Sequence, residues 1–253
     1  MSKLFSFLTF ILILGCGKTS KQKSSMAIQD VSAIYKSSRL DVHVFYEDGA
    51  EPYTEGIIPG VQIWNLTQTN LEALFQGRTI GPVITVPKTL AEMTRLTTAS
   101  KASWSIDDIL ELSKKVNVSA PRGTTAFKIF FVNGSAKDGA GIIGFHIDRT
   151  RVIAIFKDVI KGMSGGNVFV PRYVEQATII HEMGHALGLV NNGVKKQSDH
   201  HDEPHGAHCK NQDCVMYWTN EGTADMQAFA QQVITNRSTV MFDNQCLEDS
   251  RKY

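Results

Sequence analysis

His181-Glu182-Met183-Gly184-His185 sets two imidazoles four residues apart, with a carboxylate directly after the first. On a helix such a pair shares one face a turn apart, so both rings can reach one ion at zinc–nitrogen distances of about 2.0–2.1 Å. Glu182 lies about 100° round the helix from His181, too far to be a natural ligand yet placed to hold a metal-bound water. Zinc lowers the pKa of such a water from about 15.7 to about 7, and a carboxylate can then take its proton and pass it to a leaving amine. The pattern predicts hydrolysis with His181 and His185 as metal ligands and Glu182 as general base. Six of the eight histidines fall between His181 and His208, which places the remaining chemistry in the same stretch.

A helix must carry this motif. Pro171 suits a first helical turn, and YVEQATIIHEMGHAL runs on from it to Gly188, apolar on several faces as a buried helix is. Gly188 is the residue type that takes the left-handed conformation just past a helix end. Residues 189–210 then lack periodicity and are rich in His, Asp, Asn and Gly, which predicts a long functional loop. Upstream, the alternation from Arg39 predicts a strand closing at the Glu47-Asp48-Gly49 turn, and residues 64–75 predict a helix. A short strand is expected over 83–86, and a helix capped by Ser105 runs to Lys115. FKIFFV and RVIAIF are continuous apolar runs of the kind that form buried strands. A further helix is expected from about Thr223. With no internal repeat or low-complexity tract, a single α/β domain over residues 36–253 is expected.

Beyond its fifth residue the motif continues as HEMGHALGL, which resembles the first part of the metzincin signature HExxHxxGxxH. The third histidine of that pattern is replaced here by Asn191, whose neutral amide oxygen is a poor zinc ligand beside imidazole. Further on, His208-Cys209-Lys-Asn-Gln-Asp-Cys214-Val-Met216 matches HCx₄CxM, the continuation of the archaemetzincin signature. GLVNNG, the His-rich loop and the late Asp243-to-Asp249 segment also resemble exported bacterial membrane metalloproteases. The resemblance covers the chain from Pro171 onward. It implies a metzincin-like zincin fold, a mixed sheet with the active-site helix and an irregular C-terminal subdomain, and an edge strand near residues 144–149 able to take a peptide by strand addition. It also implies a zinc endopeptidase with one catalytic zinc, a peptide or protein substrate, His208 as third ligand after an insertion, and Met216 in the Met-turn beneath the metal. His200 is the next choice of ligand; His200 and His201 sit next to Asp199 and Asp202, which can orient an imidazole, so the alternative is that the loop holds a second ion. Archaemetzincins use the two cysteines with a downstream CxxC for a second zinc. No CxxC occurs here, so a Cys209–Cys214 disulfide is expected instead, leaving Cys246 without an assigned partner.

Two rival readings stand beside this one. A gluzincin-type peptidase would take its third ligand from a later glutamate, for which Glu221 is the candidate. A non-catalytic, zinc-containing surface-binding lipoprotein would have no need of Glu182.

The amino terminus bears on location. Lys3 precedes an apolar run over residues 4–14, too short for a bilayer span of about 20 residues but suited to a secretory signal. The run ends in Ile13-Leu14-Gly15-Cys16, which resembles the bacterial lipobox. The expectation is a signal peptide over 1–15, lipidation at Cys16, a polar tether over 16–35, and an exported protein anchored to the outer membrane or cell surface. A formal net charge of +1 gives no basic surplus for a polyanion, so nucleic acid is not an expected partner.

Overall fold

The computed structural model describes residues 31–79, 81–97 and 100–253; the expected signal peptide, Cys16 and most of the tether lie outside them. The described chain opens with helix α1 (Val31–Tyr35), whose Ile34 and Tyr35 are buried, so the packed domain begins ahead of residue 36. Strand β1 (Arg39–Tyr46) follows, then helix α2 (Asn65–Phe75) and strands β2 (Val83–Thr85), β3 (Thr94–Arg95) and β4 (Ser103–Trp104). Helix α3 (Ile106–Lys115) starts as its sequence predicts: the Asp108 amide donates to Ser105 Oγ at 3.2 Å while the Ser105 amide donates back to Asp108 Oδ2 at 3.0 Å. Strands β5 (Thr124–Val132), β6 (Ser135–Ala136), β7 (Gly144–His146) and β8 (Val152–Phe156) come next. Helices α4 (Lys157–Lys161), α5 (Val170–Ala186), α6 (Thr223–Asn236) and α7 (Asn244–Lys252) complete the chain.

The main sheet is mixed, in the order β2-β1-β5-β8-β7 with β3 also paired to β1. Every pairing in it is parallel except that of β7, which runs antiparallel to β8 and forms one edge. Strands β5 and β8 are its middle, and their apolar runs are buried: all of β8 is inaccessible or nearly so, as is β5 from Ile129 on. Parallel strands buried on both faces read as continuous apolar stretches, which is why FKIFFV and RVIAIF were legible. One face packs on α3 through Phe130, Ala154, Phe156 and Leu112, and the other on α2 and α5.

Helix α5 is buried almost all round, as its composition requires. At its N-terminal half, Glu175 pairs with Lys157 of α4, with both side chains at most 2% exposed. Glu175 Oε1 also accepts the Tyr53 amide at 2.8 Å, and the Lys157 ammonium sits 3.3 Å from the Tyr53 ring centroid. Burial raises the Glu175 carboxyl to about 7, against the pull of Lys157. Removing one partner of such a pair strands the other, at a cost of about 3–5 kcal/mol. Lys157→Ala should therefore lower unfolding free energy by roughly that amount in denaturant titration; a loss below about 1 kcal/mol would show the pair to be dispensable to α5.

Candidate metal centre and cleft

Helix α5 presents His181 and His185 one turn apart, and the chain then turns away at Gly188, whose φ of +77° fits the left-handed conformation expected of it. A Cβ at Gly188 would also press on the Asn192 carbonyl. Val190 and Asn191 likewise adopt positive φ, 52° and 62°. That is unusual for a β-branched residue and marks a tight reversal at the start of the loop. The loop returns to the helix through pairings that sequence periodicity does not announce. The Asp202 amide donates to the His208 carbonyl and the Cys209 amide to the Met216 carbonyl, each at 2.8 Å.

That return carries His208 to the helix. Its ring stacks on His181 with centroids 5.3 Å apart and meets His185 edge-on at 4.9 Å. His181 Nδ1 lies 2.7 Å from the Val215 carbonyl, and His208 Nδ1 lies 2.6 Å from the His205 carbonyl. A carbonyl can only accept, so both Nδ1 atoms carry the protons and both Nε2 atoms offer lone pairs. His185 Nε2 is 3.0 Å from His181 Nε2, near the roughly 3.3 Å that separates two nitrogens on a tetrahedral zinc. His208 Nε2 is buried, makes no aligned hydrogen bond and has the Glu221 carboxylate 3.2 Å away, a pair of atoms that a cation would satisfy together. With Glu221, the ligand atoms of the three histidines lie within 4.8 Å of one another. The donor set therefore fits zinc: three imidazole nitrogens with one position left. Burial holds His181 down to about 4 and His185 well below the ordinary range, which keeps both rings in the neutral form that binds metal.

Glu182 points toward strand β7. Its Oε2 accepts the His146 amide at 2.7 Å, and burial raises its carboxyl to about 8 despite that bond. Glu182, His185, His146, Phe145 and Glu221 line one cavity of about 330 Å³, bounded by the β7 edge. Below the helix, Met216 is fully buried against Gly184, where a Cβ would run into its sulfur.

The remaining histidines are engaged elsewhere. Asn191 borders a neighbouring cavity outside the histidine cluster. His201 Nε2 meets the Gly206 carbonyl at 2.6 Å, and His205 contacts Asp202 and stacks on Trp218 at 3.9 Å. His200 lies in a second cluster. Its Nδ1 is 3.4 Å from Cys209 Sγ and 3.8 Å from Cys246 Sγ, while its Nε2 contacts the buried Asp249 carboxylate at 2.7 Å.

This second cluster corrects the disulfide expectation. Cys209, Cys214 and Cys246 are all free and buried, and Cys214 Sγ lies 3.6 Å from Cys246 Sγ. A bridged pair stands about 2.05 Å apart, whereas two thiolates on one tetrahedral zinc stand about 3.8 Å apart. The Asn211 amide faces Cys209 Sγ at 3.5 Å and the Asp243 amide faces Cys214 Sγ at 3.4 Å, contacts that favour thiolates. Asp243 Oδ2 is also 3.4 Å from Cys209 Sγ. Helix α7, which sequence analysis did not mark, supplies Cys246 and Asp249; its N-cap Asp243, accepting from the Cys246 amide, was the available signal.

No protein-family profile matches the chain, and no curated protein matches it. Among solved structures it is similar to an archaemetzincin from Methanopyrus kandleri, with a TM-score of 0.48 and 13% identity over 85% of this chain and 95% of that one. A zinc-dependent peptidase from Methanocorpusculum labreanum is similar at a TM-score of 0.45 and 12% identity, over 83% of this chain and 99% of that one.

Proposed function

We propose that this chain is a zinc-dependent endopeptidase, with His181, His185 and His208 holding the catalytic ion and Glu182 acting as general base. The observation that carries the reading is the meeting of three Nε2 atoms beside a buried carboxylate that is itself bonded to the sheet edge. Bound zinc supplies Lewis acidity and a water of pKa about 7. With zinc bound, the Glu182 carboxylate would take a proton from the attacking water as the water oxygen bonds to the scissile carbonyl carbon, and would deliver it to the amine nitrogen as the C–N bond breaks. The His146 amide fixes the carboxylate while this happens. Strand β7, an antiparallel edge, can align an extended peptide along the cleft by main-chain pairing.

The same reading assigns the second cluster to a structural zinc held by His200, Cys209, Asp243 and Cys246, whose ligand atoms lie within 4.8 Å of one another, with Cys214 beside Cys246. Asp249 orients the His200 ring, as carboxylates do for metal-bound imidazoles. Four protein ligands close the site and leave no position for chemistry. Incubation of the purified protein with a random peptide library, read by mass spectrometry, tests the activity: internal cleavage is expected, and an uncut library would refute it.

Export with a lipid on Cys16 belongs to the proposal as well, supported by the short apolar run and the lipobox-like sequence. No helix among the described residues is long and apolar enough to cross a membrane. Cys16→Ser should move the protein from the membrane fraction to the soluble one, because acyl chains contribute about 0.8 kcal/mol per buried CH₂. Unchanged membrane retention would rule the anchor out.

A further inference from the structure

Glu221 meets the histidine cluster without belonging to the reaction just described. Its Oε1 lies 3.2 Å from His208 Nε2, close enough for an ion pair, yet His208 Nε2 has no aligned hydrogen bond. His208 already carries its proton on Nδ1, which faces the His205 carbonyl. A proton shared between the two atoms makes them an ion pair, and a metal cation can take that proton's place between them. The geometry is that of two ligands converging on one ion, and Glu221 is grouped with His181, His185 and His208 on that basis.

The setting of Glu221 differs from that of Glu182. Glu182 is 6% exposed and tied to the His146 amide, so it is fixed. The Glu221 side chain is 61% exposed and ends a 3₁₀ turn, Trp218–Glu221, just ahead of Gly222 and α6. The turn is anchored at its base and through Trp218, which stacks on His205. Buried Asn220 donates to the Cys214 and Val215 carbonyls at 3.2 and 3.1 Å, and the same Val215 carbonyl accepts from His181. The backbone is thereby registered to the metal ligands, while the exposed carboxylate lines the cavity with Glu182 and His146.

We propose that Glu221 is a carboxylate latch: at rest it takes the fourth position on the catalytic zinc, and on substrate entry it withdraws and yields that position to the water. The proposal rests on the peptidase reading for its consequence, and its coordination test is independent of turnover. Three imidazoles hold the ion without Glu221, so the latch excludes adventitious ligands and adds affinity, and it is not required for the site to form.

The test uses the full-length protein and its Glu221→Gln and Glu221→Ala variants, with cobalt(II) in place of zinc at the histidine site. The visible spectrum of cobalt reports its ligands whether or not peptides are cut. Both variants should change that spectrum and release metal to a competing chelator about tenfold more readily. Acetohydroxamate, which needs the position Glu221 holds, should bind the variants about tenfold more tightly than the wild type. An identical spectrum, chelator competition and acetohydroxamate affinity across the three proteins would overturn the proposal. Complete loss of metal from the histidine site in both variants would overturn it too, by making Glu221 an obligatory ligand. Failure of all three to cut peptides, with the spectral change present, would count against the peptidase reading and leave the latch supported.

Discussion

Glu182→Ala is expected to lower the rate of peptide hydrolysis by about 10²–10⁴-fold or more, the usual contribution of a general base, while zinc content stays at the wild-type value. The two halves of that expectation come from different features. Loss of rate follows because Glu182 is the buried carboxylate beside the histidine cluster that is not grouped with its ligand atoms, whereas Glu221 is exposed and converges on the ligand position itself. Retention of zinc follows because Glu182 contributes no ligand atom to the cluster and is bonded instead to the His146 amide. Activity assays beside metal analysis of the same preparation decide it. Turnover at the wild-type rate would exclude Glu182 as the base, and joint loss of zinc and fold would make it structural.

The second large effect concerns the cysteines. Cys246→Ser and His200→Ala should each reduce bound zinc from two ions to one per chain and lower the unfolding temperature steeply, since structural zinc sites contribute on the order of 10 kcal/mol to folding. The cluster ties residues 189–210 to α7, beside the His200–Asp249 contact and the bond from the Gln197 amide to Asp249. Catalytic zinc should survive in His200→Ala at low temperature, whereas His208→Ala should lose it and with it activity. The cluster reading also separates itself from a disulfide by chemistry. Thiol reductants should leave stability unchanged and chelators should lower it. Destabilisation by reductant, with one zinc per chain, would restore the Cys209–Cys214 bridge.

Much of this was legible in the sequence wherever the signal was local. Helix α5 was readable because Pro171, the apolar run and Gly188 mark its start, body and end within one stretch, and Gly188 has the positive φ such a stop needs. Strands β1, β5 and β8 and the cap of α3 follow from periodicity and one serine. The return of His208 to the helix was reached only through its spacing to Cys209, Cys214 and Met216, because nothing in residues 189–207 fixes a path. What was not legible depends on contacts distant in sequence. Cys246 and Asp249 meet His200 across more than forty residues, and no periodicity records that. The tie between Glu182 and β7 was equally hidden, because a backbone amide accepts any side chain at its own position.

The central claim is that one zinc, held by three histidines, carries out hydrolysis. Stepwise chelation followed by zinc titration, with metal content and peptide cleavage measured on the same samples, tests it most directly. The account predicts that cleavage falls to background when the histidine-held ion is removed and returns in proportion as that site refills, with no recovery in His208→Ala. Cleavage that persists in protein stripped of all metal would contradict it.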